Sequence, residues 1–382
     1  MGLEYSVKDY FLSNQWKEKV CLRCQTKYFT KQDYEECGYS KCIKPINPFE
    51  RIKSKVQSFD MVGLGQIFTR FFINKAYQNV EAKPINKVLT TFFIGSSIQN
   101  LEEELYTNKN FTYDKICVIQ PAIRLHAQKK VGLKPGVSTT FTALGTERIG
   151  ASIEDYIFDI DNWLNFLSSI SFPVTKLNFF TGVDWKGGEM KGTSVNAYLG
   201  LCQVGDFVYV NELPFREDIK SISDTTLGLE RICWILNQVD EYFEAFTPPK
   251  YLRELPLNQL DLLRSMSLIA GSGVKGSNNR EGYILRKIAK DYSNEKSTTR
   301  VGDIINSNLD YWGNFFKLPI TIQNAQEAVQ KEINRATNLR LLRNLNLNQA
   351  DYEVTLDLDC FIKGLVKNKN VSISRIIKVL KK

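Results

Sequence analysis

The sequence predicts an α+β domain followed by an all-α domain. Three observations carry that expectation. Short runs rich in β-branched and aromatic residues crowd the first two thirds of the chain, interleaved with helical patterns. After the Pro248–Pro249 pair, a natural linker, almost everything has helical periodicity. The charge divides at the same place. Residues 250–382 hold 22 Lys and Arg against 13 Asp and Glu, a net +9, whereas residues 1–249 hold 28 against 29, a net −1. Strands first and helices after them suit a sheet domain joined to a helical one.

Composition sets the outer bounds. The 382 residues suffice for two or three domains, and 43% apolar content supports a large core. No apolar run approaches the roughly 18 residues of a membrane span. The start MGLEYSVKDY has no basic region leading into an apolar one, so the expected location is the cytoplasm. The basic second part reads either as a solvated helical surface or as a polyanion-binding module beside a neutral catalytic one. The asymmetry favours the module.

The elements follow in order. Residues 1–50 form a leader, with a helix and then four cysteines at C-x2-C-x12-C-x4-C spacing: Cys21, Cys24, Cys37 and Cys42. Two short knuckles around a hairpin strand, Lys27–Thr30, supply four thiolates to a tetrahedral Zn2+. A site closed by four thiolates is structural. The other four cysteines, Cys117, Cys202, Cys233 and Cys360, lie in apolar contexts and read as core. Residues 51–247 read as the catalytic domain and 248–382 as the basic helical domain. A helix is predicted over Leu64–Asn79, and strands over Val88–Ile94, Asp114–Leu125 and Ser138–Leu144. The last two make a long hairpin whose tip carries Lys129, Lys130 and Lys134. An amphipathic helix, Ile153–Ser169, precedes strands at Lys176–Phe180 and Phe207–Leu213 and a helix at Leu229–Val239. One further strand signal stands at Tyr352–Leu356.

The most informative segment is Asp224-Thr225-Thr226-Leu227-Gly228-Leu229-Glu230-Arg231-Ile232. It reads as a strand that runs through a glycine into a helix with an arginine in its first turn. Two other segments stand in order before it. One is Gln120-Pro121-Ala122-Ile123-Arg124, continued by Thr139-Thr140-Phe141 and Gly145. The other is Trp185-Lys186-Gly187-Gly188. After it comes Ser277-Asn278-Asn279-Arg280-Glu281-Gly282-Tyr283-Ile284-Leu285-Arg286-Lys287.

Taken together and in this order, these segments resemble the alanyl-tRNA synthetases, class II enzymes, and the archaeal type more than the bacterial. The resemblance spans most of residues 17–290 and fades beyond about residue 300. It implies an antiparallel class II sheet of six or seven strands with flanking helices, the zinc knuckle before it and the all-α domain after it. The implied chemistry is attack of an amino-acid carboxylate on the α-phosphate of ATP. Arg124 would meet the α-phosphate and Arg231 the leaving pyrophosphate, with His126, Phe141 and Glu230 also at ATP or its Mg2+. Trp185, Asp206, Val208, Asp224, Thr226 and Gly228 would surround the amino acid, alanine or a related small one. Asn278, Arg280, Arg286 and Lys287 would meet the acceptor stem of a tRNA.

The chain departs from the family pattern in places. Thr226 stands where the family has glycine, and Asp206 where it has asparagine. An ionised Asp only accepts hydrogen bonds, whereas Asn also donates. His126-Ala127, Gly136-Val137 and Thr142 replace the family's residues in the second signature. The editing domain of the full-length family is not expected, because its metal site is His-rich and this sequence has one histidine. Three functions follow in order: charging of tRNA, ligation of an activated amino acid to a carrier protein or small molecule, and RNA binding without catalysis. Neither membrane nor DNA is an expected partner.

Overall fold

Nine strands among the described residues join in one sheet: β1 (Lys17–Val20), β2 (Lys27–Thr30), β3 (Gln78–Asn79), β4 (Lys115–Ile123), β5 (Thr140–Ile149), β6 (Asn178–Gly187), β7 (Met190–Leu199), β8 (Cys202–Glu212) and β9 (Ile222–Gly228). Their order is β1-β2-β6-β7-β8-β9-β5-β4-β3. Neighbours run antiparallel except β3, which lies parallel to β4. The computed structural model describes residues 2–37, 58–107, 109–200, 202–293, 301–369 and 371–380. Two units divide the chain: residues 1–83 with 87–249, and residues 84–86 with 250–382. The expected α+β architecture is present. It has more strands than the six or seven expected, because the leader hairpin β1–β2 extends one edge and β3 the other.

One face of the sheet is covered by helices. These are α1 (Leu3–Ser13), α2 (Met61–Ile73), and α4 (Ile153–Ser169), which follows the short α3 (Glu102–Tyr106) in the chain. The periodicity of α4 is read correctly from the sequence at both ends. Its start is fixed by a capping box in which the Ser152 hydroxyl accepts from Asp155 N and the Asp155 carboxylate accepts from Ser152 N. Arg148 on β5 reaches back to pair with Asp155 and Asp159. Phe68 and Phe72 of α2 pack on Trp163 and Phe166 of α4. The Trp163 indole, buried in that cluster, donates to Thr146 Oγ1 at 2.7 Å.

Three sequence expectations are corrected. The helix predicted over Leu64–Asn79 begins earlier and stops at Ile73, and Ala76 adopts φ +61° before β3. Val88–Ile94 is not a strand. The Glu102 carboxylate accepts from Leu89 N at 2.7 Å and Thr90 N at 3.2 Å, so a side chain takes the place of a neighbouring strand. Tyr352–Leu356 is not a strand for the same reason. The Asn338 amide donates to Val354 O at 3.0 Å and to Leu356 O at 2.7 Å. In each case periodicity shows the apolar pattern but not the side chain that satisfies the backbone.

The second unit holds α7 (Leu257–Gly271), packed against α8 (Arg280–Ser293), α9 (Val301–Gly313) and α10 (Ile322–Asn344). It is entered through α6 (Pro249–Glu254), the helix after α5 (Leu229–Asn237). Helix α7 is buried nearly all round, and its Arg264 guanidinium lies 4.1 Å from the ring centroids of both Tyr311 and Trp312. The chain continues through α11 (Leu358–Lys369) and α12 (Ile373–Leu380), which with the end of α10 enclose Leu341, Leu345, Phe361 and Leu365. Among the described residues no helix is long and apolar enough to cross a membrane.

Candidate active site

Strand register determines which side chains share the face opposite α4. Directly paired residues point the same way. Glu147 pairs with Asp224, Gly145 with Thr226 and Ala143 with Gly228. On the other side of β9, Asp206 pairs with Thr226 and Val208 with Asp224. The alternate residues, such as Thr146, meet α4 instead. The sheet therefore presents Asp206, Val208, Asp224, Thr226, Gly228 and Glu147 on one surface.

Above part of that surface lies a chamber of about 240 Å3 whose walls include Arg124, His126, Phe141, Asp206, Thr226, Gly228 and Arg231. Arg124 ends β4. Its Nε donates to Gly95 O at 2.9 Å, and its guanidinium sits 4.9 Å from the centre of the Phe141 ring. Both Nη nitrogens are without a hydrogen-bond partner among the described residues. Arg231 lies in the first turn of α5. Its Nε donates to Gly136 O and its Nη1 to Gln203 O, both at 2.7 Å, and Nη2 stays available. Gly136 takes φ +67° at this turn and a Cβ there would press on Cys202 and Trp234, so the carbonyl that holds Arg231 depends on glycine. Two guanidiniums anchored on backbone carbonyls thus offer free donors to one enclosed space.

The electrostatics follow from burial. Burial lowers the Arg124 pKa from its ordinary value, with Arg231 adding to the effect and Asp206 opposing it. Burial raises the Asp206 carboxyl, and Arg124 and Arg231 pull it back down. Burial and the cations Arg124 and Lys130 hold His126 below its usual range, so it is neutral at pH 7. Asp206 is the one carboxylate in the chamber wall among the described residues.

A second chamber, about 580 Å3, lies on the other side of Arg124. It shares Arg124, His126 and Asp206 with the first and is bounded by Phe92, Phe93, Ile98, Tyr106, Trp185 and Met190.

Other predicted residues take different positions. Glu230 is fully buried, and both its oxygens accept from Thr142 N at 2.9 Å, with Thr142 Oγ1 at 3.0 Å. That carboxylate ties β5 to α5 and does not line the chamber. Val208 packs among Leu101, Leu105 and Ile222 in the core beneath α3. Asp224 is 1% exposed and lines neither chamber. Ahead of it stands the turn Ser97–Leu101. Ser97 Oγ lies 2.6 Å and Ser96 Oγ 3.2 Å from Thr226 Oγ1. The turn seats so closely because residue 145 is glycine, where a Cβ would stand 2.1 Å from Ser97 Cβ.

Behind the turn, Glu147 and Asp224 form a buried carboxyl pair that the sequence reading missed. Burial and the Asp206 charge push Asp224 up to about 8, against the pull of Arg124. Burial and Asp224 drive Glu147 well above the carboxylate range. A carboxylate within the strand pattern Phe141–Ile149 is the sequence signal for Glu147; Ser96 and Ser97 leave none.

At the leader, Cys21, Cys24 and Cys37 bring three Sγ atoms within 4.8 Å of one another. Cys37 N points to Cys21 Sγ at 3.4 Å, and Cys24 Sγ lies 3.5 Å from Cys37 Sγ. Three soft ligands at this spacing fit three corners of a tetrahedral zinc site. Cys42 lies outside the described residues. Of the four cysteines expected in the core, Cys117, Cys202 and Cys233 are buried and Cys360 is exposed, because it falls on the outer side of α11. In the second unit, Asn278, Arg280 and Lys287 are exposed, and Arg286 is engaged with Asn278 Oδ1 at 2.5 Å and Glu332 Oε2 at 3.1 Å.

The chain is similar to archaeal alanine–tRNA ligases. It is 23% identical over 285 residues to that of Saccharolobus islandicus strain M.14.25, a match covering 69% of this chain and 31% of the relative. It is 23% identical over 289 residues to that of Sulfurisphaera tokodaii, covering 70% and 31%, and 23% over 261 residues to that of Ignicoccus hospitalis, covering 64% and 28%. The chain thus spans about a third of the length of the curated relatives it matches. No protein-family model matches it. Among solved structures, pyrrolysyl-tRNA synthetase of Desulfitobacterium hafniense aligns at a TM-score of 0.35 and 13% identity, over 51% of this chain and 75% of that one.

Proposed function

We propose that this chain activates an amino acid with ATP, forming an aminoacyl-adenylate and pyrophosphate, and then transfers the aminoacyl group to a tRNA. The observation that carries the reading is the pair of arginines whose free donors meet in one chamber. A carboxylate oxygen of the amino acid attacks the α-phosphorus, and the bond to the bridging oxygen of the pyrophosphate breaks. Charge grows on the equatorial oxygens and on the leaving group. Arg124 is preorganised for the first and Arg231 for the second. No side-chain base is required, since the attacking carboxylate is already ionised. Phe141 offers a flat wall to the adenine, and Mg2+, when bound with ATP, would offset the charge of its phosphates. The similarity to alanine–tRNA ligases points to the same reaction class. The +9 second part supports RNA as the acceptor through release of counterions.

The test is ATP–pyrophosphate exchange across the twenty amino acids, with and without bulk tRNA. Exchange that depends on one amino acid supports adenylation, and transfer of label to RNA identifies the acceptor. Exchange with every amino acid absent, in the presence of tRNA, would count against the reading.

A further inference from the structure

Two chambers meet at Arg124, His126 and Asp206, and only one of them is needed for a nucleotide. The other is large. A methyl side chain occupies about the volume of one water, on the order of 30 Å3, whereas this chamber measures about 580 Å3. That is the size of a pocket for a bulky ligand.

Apart from Arg124, His126, Lys186 and Asp206, the polar side chains of its lining are largely committed to one another. The Gln99 amide donates to Thr91 Oγ1 at 3.0 Å and to Glu102 Oε1 at 2.9 Å, and its oxygen accepts from Gly95 N at 2.6 Å. Thr91 Oγ1 donates to Phe93 O, and Thr90 Oγ1 to Glu102. The apolar side chains that face the space include Phe93, Ile98, Tyr106, Trp185 and Met190. Phe93, Ile98 and Met190 are buried, and the Tyr106 ring is held by stacking on Phe215 at 4.0 Å. A nucleic-acid base would find few hydrogen-bond partners here, whereas an apolar side chain needs none. Charged groups stand at the boundary with the nucleotide chamber. Arg124 has free donors there, and Asp206 is the carboxylate common to both walls, while Asp224 is shut behind Ser97 and Thr226.

We propose that the second chamber receives the side chain of a large apolar amino acid, with the substrate carboxylate beside Arg124 and its ammonium on Asp206. The proposal rests on the adenylate reading above and replaces its expected small substrate with a bulky one. Trp185 then serves as a wall for a ring or long aliphatic chain.

Sulfamoyl-adenosine analogues of the adenylate test this without need of turnover or RNA. Binding of the alanyl, leucyl, phenylalanyl and tryptophanyl compounds is measured by calorimetry on the full chain, with adenosine 5′-sulfamate as reference. At least one bulky compound should bind about 100-fold more tightly than the alanyl one. In Trp185→Ala that ratio should fall toward tenfold while the reference compound binds as before. Equal or tighter binding of the alanyl compound would overturn the large-substrate assignment and leave adenylation intact. Aminoacyl compounds that bind no better than the reference would show that the chamber is not an acyl pocket. Failure of every compound, the reference included, would remove the adenylate reading and this inference with it.

Discussion

Two arginines of the first unit and one of the second are held in opposite ways. In the first unit, Arg124 and Arg231 are fixed by backbone carbonyls, which leave their outer nitrogens free toward an enclosed space. In the second, Arg286 gives its donors to Asn278 and Glu332, while Arg280 and Lys287 stand on the surface. Backbone carbonyls carry no net charge, so they orient a guanidinium without neutralising it. A carboxylate partner such as Glu332 orients and neutralises together. The first arrangement suits charge that develops at one point in a reaction; the second suits diffuse attraction to a polyanion, tuned by salt.

The largest expected effect follows from the first arrangement. Arg124→Ala and Arg231→Ala should each lower amino-acid-dependent pyrophosphate exchange by about 100- to 1,000-fold. Circular dichroism and melting should stay close to those of the parent. Near-normal exchange in either variant would show that its guanidinium does not meet the phosphates, and the contrast between the two units would lose its basis.

Next in size is the leader. Zinc bound by Cys21, Cys24 and Cys37 would fix the β1–β2 hairpin on the sheet edge. Cys21→Ser, or a strong chelator, should lower the melting temperature by several degrees and release about one equivalent of zinc. A purified protein that melts identically with and without chelator would sink the structural-metal role.

The buried carboxyl pair gives a third, smaller effect. Asp224 titrates near 8 in the folded chain against about 3.9 when unfolded. The folded state therefore holds a proton that the unfolded state releases. Its contribution to stability is present below about pH 4 and is lost as pH rises through about 8. Asp224→Asn should flatten the decline of melting temperature between pH 5 and 8, with the variant gaining on the parent at the upper end. A parallel pair of curves would mean that the carboxyl is ionised throughout. Last and smallest, Arg286→Ala and Lys287→Ala should each weaken RNA binding severalfold and reduce the salt slope by about one. Unaltered slopes would remove this face from the RNA surface.

The fold and the arginines were legible because their signals are local or ordered along the chain. Ile153–Ser169 carries its own cap and stripe, and Arg124, Phe141, Gly228 and Arg231 come together in one chamber. What escaped depends on distant partners. Glu102 supplies the hydrogen bonds that make residues 88–94 a loop rather than a strand, and nothing near that segment in sequence announces it. Glu230 sits beside Arg231 in the chain yet turns to Thr142, because successive helix residues point in different directions. Asp224 belongs to the expected surface, but a turn more than 120 residues earlier closes over it. The size of the second chamber is likewise a matter of how Phe93, Tyr106 and Trp185 converge from separate elements.

The central claim is that a substrate carboxylate attacks the α-phosphorus of ATP between Arg124 and Arg231. Mass spectrometry with amino acid labelled with oxygen-18 in its carboxylate tests this most directly. The protein, ATP, Mg2+ and the amino acid that supports exchange are incubated until the adenylate hydrolyses. The account predicts AMP carrying one oxygen-18 in its phosphate, with unlabelled pyrophosphate. Unlabelled AMP, or ADP in place of AMP, would contradict it.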